Sequence, residues 1–267
     1  MLVSSIDTGV LILIEYTTMI QEFNKSERNE RILLDIVEWY VEIAEPVSSS
    51  ELLSIYKYDL SSATLRNIMF QLNEAGYLAQ PHTSAGRIPT AKAYKFYVDK
   101  VRFGAQRPKK KQSQKKEKVS SNLRSQLQRV INYSPNEIAR TLSQYLADVT
   151  HSMAFGGVLG VNSFYREGLR YLLDEPEFLT AKNIKSLVEY IDSLESRLDK
   201  LYVSIQNDIK IFIGEERKRM HGTPFSLMAF TQELPNHERA VFGIVGPIRM
   251  QYSRNLDVLN EIRGLFK

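Results

Sequence analysis

One run of forty residues, 60–99 (LSSATLRNIMFQLNEAGYLAQPHTSAGRIPTAKAYKFYVD), constrains this chain more than any other. Ser61 is a good N-cap for a helix over about 62–75, and Gly76 a good residue to stop it. Tyr77–Gln80 and Arg87–Pro89 read as two short strands with Pro81–Gly86 turning between them. Thr90 then caps a helix that runs to about Val101. Upstream, Ile32, Leu33, Ile36, Val37, Tyr40 and Val41 recur at spacings of three and four, which predicts an amphipathic helix over 27–43 that Pro46 cannot extend. Ser48–Tyr56 reads as a second short helix with Leu52, Leu53 and Tyr56 on its apolar side. Helix, helix, helix, hairpin, helix is the order of a winged helix-turn-helix, in which the third helix and the hairpin face DNA.

At 100° per residue the third helix divides into two faces. Leu65, Ile68, Met69 and Leu72 gather on the core side; Ala63, Arg66, Asn67 and Phe70 fall opposite. Arginine suits guanine and asparagine suits adenine in the major groove, and the Ala63 methyl suits the thymine methyl. Ser61, Ser62 and Thr64 offer hydroxyls and backbone N–H groups at the helix N-terminus for phosphate oxygens. The same face would serve equally as an ordinary solvated surface, and the helix alone does not separate the two readings. The hairpin tip, with His82, Thr83, Ser84, Gly86 and Arg87, carries no acid and no large apolar side chain, as close approach to a DNA backbone requires. Lys92, opening the next helix, joins the candidate contacts. From Lys57 to Arg102 seven basic residues stand against three acids, whereas the first helix is acidic.

The 267 residues suffice for two domains with cores of their own. There is no cysteine, which excludes disulfides, thiolate zinc sites and cysteine nucleophiles and fits a reducing compartment. The apolar run Val10–Ile14 is too short to span a bilayer, and Asp7 and Glu15 flank it where a signal peptide would have basic residues. A cytoplasmic protein is expected. Residues 1–24 match neither domain pattern and read as a loose arm open to disorder, or else Met19 is the start. Residues 25–103 form the DNA-binding domain, 104–122 a lysine-rich flexible linker, and 123–267 a second domain. Between Arg107 and Arg124 eight basic residues oppose one acid, a net +7 that leaves the rest of the chain at −3 given the overall +4. Lys109, Lys110, Lys111, Lys115 and Lys116 are therefore candidate phosphate contacts, or else a soluble spacer.

In the second domain helices are expected over Pro135–Met153, Ala181–Tyr202 and about Leu256–Phe266, and strands at Ile209–Ile213, Ser226–Thr231 and Ala240–Val245. No long helix separates the last two strands, so the sheet is small and antiparallel, and the class is α+β. The apolar stripe of Ala181–Tyr202 would serve either a dimer or the domain's own core. No phosphate-binding glycine loop is present, and His82, His151, His221 and His237 are scattered without metal-ligand spacing. Glu215 and Glu216 have no second acid near them in sequence and read as a solvated turn. Neither an enzyme nor a cofactor or metal site is expected.

The run SSATLRNIMFQLNEAGYLAQPHTSAGRIPTAKAYKFYVD, with the preceding ERILLDIVEWYVEIAEPVSSSEL, resembles the N-terminal domain of the HrcA family, bacterial heat-inducible transcription repressors. GLRYLLDEPEF (168–178), IGEE (213–216) and FGIVGPIRMQY (242–252) resemble that family's GAF-like second domain. The resemblance implies an N-terminal winged helix-turn-helix plus a reduced C-terminal GAF-like domain, and a stress-response repressor of chaperone operons. It also implies an inverted-repeat, CIRCE-like operator, a homodimer, and a GroE-type chaperonin that keeps the repressor active until unfolded protein occupies it. The alternative is a winged helix that packs on protein, with a ligand-sensing second domain. The family places sheet strands and an inserted dimerising domain between its helix near Leu146–Met153 and its Pro-Glu-Phe segment at Pro176–Phe178. Here that stretch is AFGGVLGVNSFYREG (154–168). The inserted domain is therefore expected to be absent or vestigial, and the strands lost with it.

Overall fold

The computed structural model describes residues 8–82, 85–102, 125, 134–160, 163–205, 208–214, 225–235 and 237–266. Packing divides the chain into two compact units between Tyr97 and Val98.

In the first unit α1 spans Thr8–Ile43. The helix thus begins well before residue 27, running from Thr8 through most of the segment read as a loose arm. Its apolar stripe is the expected one, with Ile32, Leu33, Ile36 and Val37 buried. The helix stops at Ala44, whose φ of 56° is left-handed, one residue before Glu45-Pro46. Helix α2 (Ser49–Tyr56) opens with a capping box: the Ser48 hydroxyl accepts from the Glu51 N–H, and the Glu51 carboxylate accepts from the Ser48 N–H. The other Glu51 oxygen accepts from the Trp39 indole at 2.8 Å, tying α2 to α1.

Helix α3 (Ser62–Glu74) is capped by Ser61, which accepts from Thr64 N–H at 3.0 Å. It ends in a Schellman motif. The Tyr77 N–H reaches the Leu72 carbonyl and the Gly76 N–H reaches Asn73, with Gly76 at φ 76°. Strands β1 (Leu78–Ala79) and β2 (Ile88–Pro89) pair antiparallel, and α4 (Ala91–Arg102) follows. Thr90 does not act as the expected cap acceptor. Its hydroxyl is turned back to the carbonyls of Gly76 (2.7 Å) and Tyr77 (3.1 Å), closing the base of the hairpin.

A polar contact fixes the turn between α2 and α3. The Tyr58 hydroxyl donates to the buried Asp35 carboxylate, and the Tyr56 hydroxyl donates to the Asp35 carbonyl at 3.1 Å. Burial holds the Asp35 carboxyl above the usual carboxylate range, outweighing the Tyr58 hydrogen bond and the attraction of Arg31. A group whose folded value is the higher one stabilises the fold below its unfolded pKa and loses that contribution as pH rises. Ionised Asp35 therefore works against folding at neutral pH. Asp35→Asn, which keeps an acceptor for Tyr58, is expected to be at least as stable as the parent in urea unfolding at pH 7. That advantage should shrink at pH 4 and below; an unchanged difference between the two pH values contradicts the assignment.

The second unit contains α5 (Pro135–Thr150), β3 (Met153–Val158), β4 (Ser163–Glu167), α6 (Leu169–Leu173) and a 3-10 turn at Pro176–Phe178. These are followed by α7 (Ala181–Glu195), α8 (Leu198–Ser204), β5 (Lys210–Ile213), β6 (Phe225–Glu233), β7 (Arg239–Pro247) and α9 (Tyr252–Arg263). The strands form one five-stranded sheet in the order β4-β3-β7-β6-β5, every pairing antiparallel.

Three expectations are corrected here. The helix from Pro135 stops at Thr150, where His151 turns left-handed (φ 49°), so Met153 lies in a strand. The helix expected over Ala181–Tyr202 is two, interrupted at Ser196–Arg197. The short segment 154–168 has not lost its strands. It forms β3 and β4, and β3 lies between β4 and β7. Only residues 159–162 join the two, which leaves no room for an inserted domain there.

Alternation along the strands gives the sheet two covered faces. On one, Phe155, Val241, Val245, Phe225 and Leu227 pack with Leu172, Phe178, Leu187, Tyr190, Ile191, Leu194 and Leu201 from the helical segments between 169 and 204. Each such side chain contributes about 1.5–3 kcal/mol on leaving water. On the other, Gly156 lies so close to α5 that a Cβ there would come within 2.6 Å of the Ser143 Oγ and 2.9 Å of the Ala139 carbonyl oxygen. The Tyr252 hydroxyl of α9 bonds to Ser226 of β6 at 2.8 Å on this same face.

One charged cluster is sunk into this unit. Arg249, on the turn after β7, donates to Glu177 Oε1 at 2.7 Å and Oε2 at 3.3 Å, and also to Glu175. Its side chain is 11% exposed. Burial opposes the guanidinium's charge, but Glu177 and Glu175 more than offset this and hold it above the ordinary range.

Candidate nucleic-acid interface

The two faces of α3 fall where its spacing predicts. Leu65, Ile68, Met69 and Leu72 are buried. Ala63, Thr64, Arg66, Asn67 and Phe70 are exposed, Phe70 to 52% despite its large apolar ring. Among the described residues no ion pair or side-chain hydrogen bond engages Arg66 or Asn67. Two turns of helix thus present a guanidinium, a carboxamide and an aromatic edge to solvent, with no acid between them.

The helix start is ordered by its own hydroxyls. Ser61 Oγ lies 2.9 Å from Thr64 Oγ1, and Ser62 Oγ lies 3.4 Å from Ser49 Oγ on α2. The first contact orders the start of α3, and the second ties its first turn to α2.

The hairpin is broader on its turn side than the sequence indicates. Beyond the two-residue strands, Val47 and Arg87 exchange backbone hydrogen bonds (Val47 N–H to Arg87 O at 2.9 Å, Arg87 N–H to Val47 O at 2.8 Å), so the segment between α1 and α2 adds a third strand position. Gly86 makes this pairing possible, because a Cβ there would fall 2.4 Å from the Val47 carbonyl oxygen. The Arg87 guanidinium donates to the Gln80 side-chain oxygen, and the Gln80 amide donates to the Ala85 carbonyl at 3.1 Å. Arg87 is thereby held along the hairpin. His82 is exposed and its carbonyl accepts from Ala85 N–H at 2.9 Å.

Lys92 has a different position. Its ammonium donates to the Ala75 carbonyl at 2.7 Å, at the C-terminal end of α3, and lies over the Tyr77 ring at 4.3 Å. There it complements the helix dipole. Thr83 and Ser84, and Lys109, Lys110, Lys111, Lys115 and Lys116, lie outside the described residues, as do Glu215 and Glu216. Sequence reasoning missed the Val47–Arg87 bridge and the Arg249 clamp. A signal for the clamp existed in the acid–proline–acid triplet at 175–177, but its partner stands more than seventy residues away.

Among the described residues no cluster of three metal-ligating side chains occurs, and no helix is long and apolar enough to cross a membrane. Architecture and site together describe an α+β protein with a helical head carrying a hairpin, followed by a sheet-containing unit. The chain belongs to the HrcA family: the profile described as "HrcA protein C terminal domain" matches residues 109–256. The heat-inducible transcription repressor HrcA of Thermodesulfovibrio yellowstonii is 43% identical over 124 residues, 46% of this chain and 34% of that protein. The protein of the same description from Desulforamulus reducens is 26% identical over 88% of this chain and 94% of its own length. In the first curated relatives the match spans about a third of their length. A solved structure titled "Crystal structure of a hypothetical protein at 2.2 A resolution" has the same fold. Its TM-score is 0.67 at 20% identity, and the match covers 90% of this chain and 98% of that one.

Proposed function

We propose that this chain is a sequence-specific DNA-binding repressor of stress-response genes, with its first unit acting as a winged helix-turn-helix and its second as a GAF-like regulatory unit. The observation that carries the reading is the acid-free exposed face of α3, with Arg66 and Asn67 unengaged and the braced Arg87 hairpin following it in the same unit. The naming of its curated relatives as heat-inducible transcription repressors supports it. Arg66, Asn67, Ala63 and Phe70 read base edges. Ser61, Ser62, Thr64, His82, Thr83, Ser84 and Arg87 position the backbone. Lys92 contributes charge from its place at the end of α3. The operator is an inverted repeat of the CIRCE type, read by a homodimer whose heads lie one or two helical turns apart, ~34 Å per turn. Dependence on a GroE-type chaperonin is part of the same reading.

A gel shift with a duplex carrying the inverted repeat, against a scrambled competitor, tests it. Retention of the repeat alone supports the reading, equal competition sinks its sequence specificity, and no shift with either duplex sinks it in favour of a protein-binding head.

The lysine tract gives a separate expectation. Neutralising Lys109, Lys110, Lys111, Lys115 and Lys116 together should weaken binding to operator and random duplex alike. It should also flatten the dependence of log affinity on log salt by about 0.9 for each phosphate no longer neutralised. A titration at several salt concentrations with an unchanged slope would show that the tract does not touch DNA.

A further inference from the structure

We propose that Gln80 is a positioning residue for DNA reading: it presets the Arg87 guanidinium to enter the minor groove of A·T-rich duplex beside each half-site. The register Leu78↔Pro89 and Ala79↔Ile88, carried one step toward the turn, sets Gln80 opposite Arg87 on one face of the hairpin. The backbone N–H and carbonyl of Arg87 are both engaged by Val47 on the other side, at 2.8 and 2.9 Å. Gln80 and Arg87 therefore face each other as a pair without backbone hydrogen bonds, the kind in which side chains lie closest. Their side chains meet, the guanidinium donating to Gln80 Oε1. Gln80 is itself tied down, its Nε2 donating to the Ala85 carbonyl at 3.1 Å across the turn. The Ala85 N–H in turn reaches the His82 carbonyl at 2.9 Å. Arg87 is thus fixed at its backbone and near the end of its side chain before any duplex arrives.

The form of this bracing names the target. A phosphate is met well by a loose cation, because charge acts at range and a lysine serves. The floor of a minor groove is confined, so a guanidinium delivered there gains from losing its rotamer freedom in advance. Arginine also sheds water more readily than lysine, and A·T-rich tracts have a narrow minor groove with enhanced negative potential. The approach is clear of opposing charge. No acid stands between Gln80 and Arg87 in sequence, and among the described residues no carboxylate pairs with Arg87.

This role rests on the DNA-binding reading and narrows the part of Arg87 within it. The probes are two inverted-repeat duplexes with identical half-sites, one with A·T and one with G·C at every pair of the spacer and flanks. The parent should prefer the A·T duplex about fivefold or more. Gln80→Met keeps the length of the side chain and removes its acceptor and donor. It should bind the A·T duplex about two- to tenfold more weakly and the G·C duplex as the parent does. Arg87→Lys should keep the salt dependence and lose the preference. Once Arg87→Ala has removed the guanidinium, adding Gln80→Met should change neither affinity by more than about twofold. A further loss there would show that Gln80 acts on its own account and would overturn the assignment. A strut that only stabilises the hairpin would lower both affinities together, with urea unfolding shifted to match, and that result overturns it too. So does retention of the preference in Gln80→Met or in Arg87→Lys. A parent that binds both duplexes alike sinks this role and leaves the DNA-binding reading standing, whereas a parent that shifts neither sinks both.

Discussion

Arg66→Ala should bind the inverted-repeat operator about ten- to a hundredfold more weakly, a loss of about 1–3 kcal/mol, while its affinity for random duplex stays nearly unchanged. The physical ground is the position of the side chain. Arg66 is exposed on the acid-free face of α3, and among the described residues nothing engages its guanidinium. A guanidinium that reads the O6 and N7 of guanine contributes to discrimination; one that meets phosphate contributes to every sequence alike. Paired titrations with operator and scrambled duplex at one fixed salt concentration separate the two. If both affinities fall together, Arg66 is a backbone contact and the reading role passes to Asn67.

A second large effect is expected far from DNA. Arg249→Ala should destabilise the second unit by about 2–4 kcal/mol. Removing one partner from a fully buried ion pair typically costs about 3–5 kcal/mol, and the partial exposure of these glutamates discounts that figure. Glu177 and Glu175 are 18% and 29% exposed and would face each other with the guanidinium gone. Lysine should rescue only in part, because one ammonium does not reproduce the fork that meets both oxygens of Glu177 and also reaches Glu175. Adding Glu177→Gln to Arg249→Ala should recover a share of the loss by removing the repulsion. Urea unfolding of the three variants checks this, and a loss under about 0.5 kcal/mol would mean that solvent already screens the cluster.

The helical head is legible because its signals are local. The cap at Ser61, the stop at Gly76, and apolar spacing within α1 and α3 depend on neighbours within one or two turns. The sorting of Arg66 and Phe70 onto the outer face of α3 follows from helical geometry alone. Thr90 shows the limit. A threonine before a helix satisfies the rule for a cap, yet its hydroxyl bonds backward to the hairpin base, which is a tertiary arrangement.

Local signals fail in the second unit. The segment 154–168 opens with two glycines inside an apolar run and reads as a remnant, but Gly156 is what lets β3 lie against α5. The strand character of β3 comes from pairing with β7, more than eighty residues away. The break at Ser196–Arg197 is equally silent, since the apolar period continues through it and only packing decides where α7 gives way to α8.

What the sequence by itself determined is the order of elements in the head, the side of α3 that faces outward, and membership of the family, because each rests on short-range spacing or on a run of matching residues. Tertiary structure alone decided the third strand position at Val47, the five-strand sheet order and the Arg249 clamp. These are contacts between residues remote in the chain, and no local preference encodes which distant partner a strand edge or a buried charge will find.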